Sequence, residues 1–275
     1  MPATLREGLP PVPRRMQKLP LDDRGYPVPW FVEWVDGKPD FRIMDARKLV
    51  KAVRFGSCWL CGEPLGRLRT YVIGPMCAIN RTTGEPGSHL ECARFAATAC
   101  PFLTLPKAQR REANLPEHEK APGFHLNRNP GVSLLWTTDE FGTFMPHKGN
   151  QSGLPLIHLG KPKQVEWYAQ GRAASYDEIM ESITSGLPNL QAVAEQEGLQ
   201  AVMDLGKATG EAMKLLPKPF GCEPGLVCGR NGCTGSIRER PPENCTCHIA
   251  PPCGDCTENR TYCPVCGWEG KGDAP

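Results

Sequence analysis

No stretch of this 275-residue chain is apolar for long enough to cross a membrane, so no membrane partner is expected. Residues 1–20 hold no continuous apolar run, so an export leader is not expected and a cytoplasmic, reducing compartment is. No internal repeat appears, since the two cysteine clusters differ in spacing. The GxSxG, Walker and HExxH patterns are missing too. Gly206-Lys-Ala-Thr209 has no Ser or Thr directly after its lysine and falls inside a helical period, so it is not a phosphate loop. Strong charge of one sign is also lacking. The net charge of +2 divides into +6 over residues 1–120, −3 over 121–216 and −1 over 217–275. A mildly basic N-terminal half is compatible with a polyanionic partner and does not demand one.

Cysteine, by contrast, is abundant. Fourteen cysteines fall into two clusters. The first holds Cys58-Trp-Leu-Cys61, Cys77, His89-Leu-Glu-Cys92 and Cys100. The second packs nine cysteines and His248 into residues 222–266. In a reducing compartment, CxxC pairs read as metal-ligand pairs rather than disulfide halves. Proline and glycine together make 58 residues, spread over turns rather than gathered in one tract, which points to irregular loops rather than wholesale disorder.

The pattern predicts an α+β, metal-stabilised protein of several modules: a flexible basic arm (1–20), a β-hairpin plus zinc domain (21–105), a polar linker (106–120), a mixed segment of strands and an αα-hairpin (121–216), and a Cys-rich tail (217–275). Alternation through Trp30, Val32 and Trp34, then Asp36-Gly37, then Phe41 to Met44 predicts the hairpin. Asp45 caps a helix over 46–54, with Gly56 past its end. Residues 132–136 and 154–159 read as strands, 139–142 as a turn, and 163–170 as a short helix ending at Gly171. Helical periodicity over 175–185 and 189–216, with Pro188 in a first turn, gives the αα-hairpin; Gly198, Gly206 and Gly210 each cost about 1 kcal/mol relative to alanine, which predicts a break near Gly198. Its apolar stripe packs on the middle segment or serves self-association through 175–216.

Zinc takes four nitrogen or sulfur ligands in a tetrahedron, delivered as two pairs. Cys58-x-x-Cys61-Gly62 has the form of a knuckle turn, and His89 and Cys92 stand three apart where a helix begins after Ser88. Strand-like Thr70 to Gly74 fills the interval; knuckle, hairpin, helix is the order of a treble-clef zinc finger, and residues 56–103 resemble that class. The resemblance implies one closed site of Cys58, Cys61, His89 and Cys92. Cys77 and Cys100 are either substitutes for His89 or buried thiols. The ββα-metal nuclease variant of that fold needs a strand-end histidine, which Tyr71-Val-Ile-Gly lacks. Around the finger, Arg54, Arg67, Arg69, Arg81 and Arg94 are the candidate nucleic-acid contacts; the alternative is a solvated face paired locally to Glu63, Glu85 and Glu91.

In the tail, Cys253, Cys256, Cys263 and Cys266 form two CxxC pairs on a short connector and resemble a zinc ribbon. A second ion falls to Cys222 or Cys228, with Cys233, Cys245, and Cys247 or His248. Two to three zinc ions per chain are therefore expected. Residues 217–275 hold too few large apolar groups to fold on a core alone, so metal is expected to supply the folding energy. Ferredoxin-like clusters need closely spaced Cys triplets that are missing, and a disulfide-rich tail needs an oxidising compartment.

The function expected is a non-catalytic zinc-binding protein contacting nucleic acid. The alternative is a protein-binding adaptor or inhibitor. A third reading, an enzyme with a site in the middle segment, rests on His125, His147 and His158 among the histidines from 118 to 158. The tail His248-Ile-Ala-Pro-Pro-Cys-x-x-Cys resembles small cysteine-rich proteins encoded by bacteriophages and prophages, which implies a source acting in a bacterial host and no mechanism.

Overall fold

The computed structural model of the chain describes residues 4–106, 108–109, 129–145, 154–217, 221–230, 233–241, 244–249, 251, 253 and 261–270. The chain forms two compact units, Met1–Ala174 with Glu178–Leu215, and Ser175–Asp177 with Leu216–Pro275. Most of the predicted linker, 107 and 110–120, lies outside the described residues.

The first unit opens with the expected hairpin, β1 (Val32–Val35) against β2 (Lys38–Met44), turning at Asp36 and Gly37. Helix α1 (Ala46–Phe55) follows. The Asp45 carboxylate accepts hydrogen bonds from the backbone N–H groups of Arg47 and Lys48, and the helix ends at left-handed Gly56. Leu49 and Ala52 turn inward and pack on Trp59, whose ring stacks on Phe31 at 4.8 Å.

Two sheets carry the rest of this unit. Strands β3 (Arg69–Ile73), β5 (Ser133–Thr138), β8 (Gln164–Ala169) and β9 (Arg172–Ala173) make an antiparallel four-stranded sheet in that order. Strands β4 (Thr82–Thr83), β7 (Leu156–Leu159) and β6 (Phe141–Phe144) make a three-stranded one. Because β3 pairs with β5 and β4 with β7, the segments 21–105 and 121–216 share both sheets. Every residue of β5 is buried, as a strand covered on both faces must be. Short α2 (Pro75–Asn80) leads into β4, and α3 (Leu90–Ala99), continued by one turn as α4 (Pro101–Thr104), packs Ala93 and Ala97 on Leu135.

Three expectations are corrected. Residues 164–169 form a strand, not a helix: Trp167 and Ala169 alternate inward, β5 supplies the partner, and Gln170 and Gly171, at φ 53° and 76°, turn the chain into β9. The turn predicted at 139–142 is shorter, since Phe141 already belongs to β6. Helix α5 (Tyr176–Glu197) runs through Pro188 without the predicted break. Tertiary packing overrides the proline there, with Gly186 set against Met76 of α2 and the Ser182 hydroxyl donating to the Pro130 carbonyl. The break comes at Gly198, as predicted, and α6 (Leu199–Met213) packs against α2. The Trp167 indole N–H donates to the Leu215 carbonyl at 3.0 Å.

In the second unit, β10 (Arg238–Glu239) pairs antiparallel with β11 (Thr261–Tyr262). Its core is Cys228, Ile237 and Cys263, with Cys233 and Trp268 packed against them. No described helix is long and apolar enough to cross a membrane.

Leu135→Ala should cost about 2–5 kcal/mol in denaturant unfolding, since the site is fully buried between helix and sheet. Asp45→Ala should cost about 1 kcal/mol at neutral pH. Burial opposes ionisation of Asp45, but hydrogen bonds from Arg47 and Lys48 hold it below the ordinary carboxylate range. Its contribution is therefore present at neutral pH and fades as pH falls, so the gap between parent and variant should narrow on acidification.

Candidate metal centres

Among the described residues, three groups of cysteine and histidine side chains bring all their ligand atoms within 4.8 Å of one another: Cys58, Cys61, His89 and Cys92; Cys228, Cys233, Cys263 and Cys266; and Cys245, Cys247 and Cys253. Each could hold a metal ion.

Local backbone geometry builds the first group. A bridge between Ser57 and Pro64 closes the loop bearing Cys58 and Cys61, and the Cys61 N–H donates to Cys58 Sγ at 3.4 Å. Gly62 is required: at φ 77°, a Cβ there would lie 2.7 Å from the Trp30 ring. The second pair is carried in by a Thr70–Ser88 bridge, which sets His89 as the N-cap of α3 and Cys92 one turn along. Ser88 works through its backbone, and its side chain makes no cap. His89 Nδ1 lies 3.4 Å from Cys61 Sγ and 4.0 Å from Cys92 Sγ, while Nε2 is 3.1 Å from the Pro64 carbonyl. A proton on Nε2 that donates to that carbonyl leaves the Nδ1 lone pair aimed at the sulfurs, the arrangement that orients a histidine ligand.

These separations fit a metal. Metal–sulfur bonds of about 2.3 Å in a tetrahedron put donor atoms about 3.8 Å apart. The protein's own electrostatics agree. Hydrogen bonds from Cys61 and Cys92, aided by the backbone N–H groups of Cys61 and His89, hold the Cys58 thiol far below its usual value despite burial. The hydrogen bond and charge at Cys58 push Cys61 up to about 11 and Cys92 much higher. One thiolate is therefore tolerated by the protein alone, and a cation is what allows three.

The second group is assembled by strand register. Cys228 and Cys233 sit on a loop pinched by Cys228 N–H to Gly235 O (2.7 Å) and by a Val227–Ser236 bridge. Cys263 and Cys266 sit on a similar loop, closed by Cys263 N–H to Trp268 O (2.8 Å) and Gly267 N–H to Cys263 O (3.0 Å). Pairing Arg238 with Tyr262 sets the two loops at one end of the β10–β11 ladder. Cys228 Sγ then lies 3.5 Å from Cys266 Sγ, and Cys233 Sγ 3.6 Å from Cys263 Sγ. Gly235 leaves room for this, since a Cβ there would lie 2.7 Å from Cys263 Sγ. Backbone N–H groups, led by that of Cys266, lower the Cys263 thiol to about 6.

The predicted partition of the tail is therefore replaced. Cys263 and Cys266 join Cys228 and Cys233 rather than Cys253, and Cys253 joins Cys245 and Cys247 in the segment connecting β10 to β11. Sulfur–sulfur distance between Cys247 and Cys253 is 3.5 Å. Cys228, not Cys222, is the donor in the second group. His248 is exposed and belongs to none of the three; Cys256 lies outside the described residues. Cys77 and Cys100 also join none, and burial pushes both thiols up, Cys77 to about 11.

Sequence reasoning missed Arg230. Its guanidinium lies 3.6 Å from the Trp268 ring centre and donates to the Gly221 carbonyl (2.8 Å), Cys222 Sγ (3.2 Å) and Cys228 Sγ (3.4 Å). Its position two residues past Cys228 was the only available signal.

The five predicted arginines are used unequally. Arg94 forms a two-pronged pair with Glu166 (2.5 and 2.9 Å), and Arg67 pairs with Asp139 (3.0 Å). Arg69 stacks on Phe141 at 4.1 Å, with its Nε buried and unpartnered. Arg81 is the left-handed C-cap of α2, and Arg54 lies 5.9 Å from the Phe55 ring. Of the middle-segment histidines, His158 is exposed on β7, while His118, His125 and His147 lie outside the described residues.

Compared with protein-family models, curated proteins and solved structures, the chain matches none.

Burial grades the three groups, from the first with three buried donors to the third with one. On addition of chelator to the metal-loaded protein, metal should leave the third group first, the second next and the first last, read as separate phases with a colorimetric indicator. Cys92→Ser should eliminate the slowest phase.

Proposed function

We propose that this chain is a non-catalytic zinc protein whose metal-organised surfaces contact nucleic acid. The observation that carries the metal assignment is the donor set of Cys58, Cys61, His89 and Cys92, whose four ligand atoms lie within 4.8 Å of one another, as many as a tetrahedral ion takes, so that an ion held by all four would have no position for a substrate or activated water. Soft sulfur donors with one imidazole suit zinc, and residues 56–103 resemble a treble clef in carrying loop, strand and helix in order, with α2 and a β3 and β4 not paired to each other standing where that class has a hairpin. Cys228, Cys233, Cys263 and Cys266, presented by two pinched loops, complete a second closed set of the zinc-ribbon kind.

Nucleic-acid contact is supported by the basic N-terminal half, in which Lys51, Arg54, Arg69 and Arg81 have no carboxylate partner among the described residues. The pairing of Arg67 and Arg94 with carboxylates removes those two from the expected contact set. A second reading, an adaptor or self-associating protein, is favoured by the apolar side chains exposed on α5 and α6, Val193, Met203 and Leu199, the last 77 % exposed.

Elemental analysis of the purified protein should find two to three zinc ions per chain, falling by one in Cys228→Ser. Less than two per chain would remove the architecture proposed. Nucleic acid co-purifying with the protein and released by salt supports the contact assignment; a salt-resistant, nucleic-acid-free dimer supports the second reading.

A further inference from the structure

Helix α1 carries four basic residues, Arg47, Lys48, Lys51 and Arg54, and no acidic one. Arg47 and Lys48 are paired to Asp45, with Glu33 also near Arg47. Lys51 and Arg54 have no carboxylate partner among the described residues and share the exposed side of the helix, one turn apart. Beside them, Phe55 is 70 % exposed, the most exposed aromatic ring among the described residues, and Val50 is also open to solvent.

A third cation reaches the same end of the helix from another element. The Arg69 Nη2 atom lies 2.9 Å from the point a Cβ on Gly56 would occupy, so this guanidinium rests against the residue that ends α1. It makes no ion pair among the described residues, and its buried Nε has no hydrogen-bond partner. Leu65 N–H donates to the Gly56 carbonyl at 2.7 Å, which also ties the loop leading to exposed Leu68 to this end of the helix. The partial negative charge at a helix C-terminus, about half a unit, draws such cations in but offsets only a fraction of three.

We propose that this end of α1 binds single-stranded nucleic acid, with Lys51, Arg54 and Arg69 on the phosphates and an unpaired base stacked on Phe55. The assignment rests on the nucleic-acid reading above and names its substrate class and contact surface. Three unneutralised cations suit a polyanion. A ring projecting into solvent on the same helix end, 5.9 Å from Arg54, suits the face of a base, which a duplex keeps stacked inside and a single strand offers. The surface is organised by the first metal group, since Gly56 is followed within two residues by Cys58, and Arg69 directly precedes the Thr70 that bridges to Ser88.

The test is fluorescence anisotropy of the full-length, metal-loaded protein with labelled oligothymidylate and oligouridylate of about twenty nucleotides and with a duplex of equal length. The single strands should bind more tightly than the duplex. Phe55→Ala should weaken single-strand binding roughly tenfold, and Phe55→Tyr should restore most of it. Lys51→Ala with Arg54→Ala should lower the slope of log affinity against log salt by about 1.4, or ~0.7 for each phosphate no longer neutralised. All the substituted side chains are exposed, so metal content should stay at the parent value and serve as the check on folding. Duplex binding equal to or tighter than single-strand binding, with Phe55→Ala unchanged, would overturn this surface while leaving nucleic-acid contact standing. No binding to any of the three probes, or capture of an acidic protein in their place, would overturn both.

Discussion

Thiol sulfurs held within 4.8 Å of one another cannot all ionise unless a cation sits among them, and both units of this chain are arranged around that constraint. In the first unit, the charge settles on Cys58 and is refused by Cys61 and Cys92, so the protein alone supports a partly ionised site. A bound ion converts mutual repulsion into attraction along four bonds at once. The loop at 58–62, the Thr70–Ser88 bridge and the start of α3 then become one rigid object. Strand β3 leaves that loop directly for the four-stranded sheet and pairs with the buried strand β5, so an ion bound there would fix the end of the strand on which β5 is laid.

The two units differ in how much they depend on metal. The first surrounds its donor set with apolar side chains, Met16, Leu60 and Phe95 among them, and adds the separate cores around Leu49 and Leu135. The second has Ile237 as the only large aliphatic side chain of its core among the described residues, and the remaining members are mostly cysteines that are themselves donors. Arg230, stacked on Trp268 and donating to two sulfurs, covers the group and offsets thiolate charge from outside. A cation held by this group would neutralise its thiolates and tie together the cysteines that make up most of its core.

Charge distribution follows the same logic of competition. A count of arginines near the finger suggests a basic face, but Arg67 and Arg94 meet Asp139 and Glu166 from the middle segment, which is a partner only because the sheets join. Of the cations left without a carboxylate among the described residues, Lys51, Arg54 and Arg69 gather at the end of α1, and Arg81 caps α2. An arginine is available to a ligand when no carboxylate reaches it first, and for Arg67 and Arg94 that is decided by carboxylates far along the chain.

Local signals in the chain determined a good deal by themselves. Asp36-Gly37 between alternating apolar residues fixed the hairpin, Asp45 and Gly56 bounded α1, and Cys58-x-x-Cys61 with His89-x-x-Cys92 identified a donor set that the fold indeed gathers. The hairpin, the caps of α1 and each half of the donor set rest on residues within a few positions of one another, where backbone geometry is decided by the nearest side chains; the Thr70–Ser88 bridge joins the two halves. Only the tertiary structure decided that 164–169 is a strand, that Pro188 stays within a helix, and that Cys263 and Cys266 meet Cys228 and Cys233 rather than the nearer Cys253. Those outcomes depend on partners far along the chain: β5 for the strand, Met76 for the helix, and the register of Arg238 on Tyr262 for the cysteines. Proximity in sequence makes two CxxC pairs look like one site, while strand pairing sets which loops share an end, and a tetrahedron closes only around sulfurs that are already side by side.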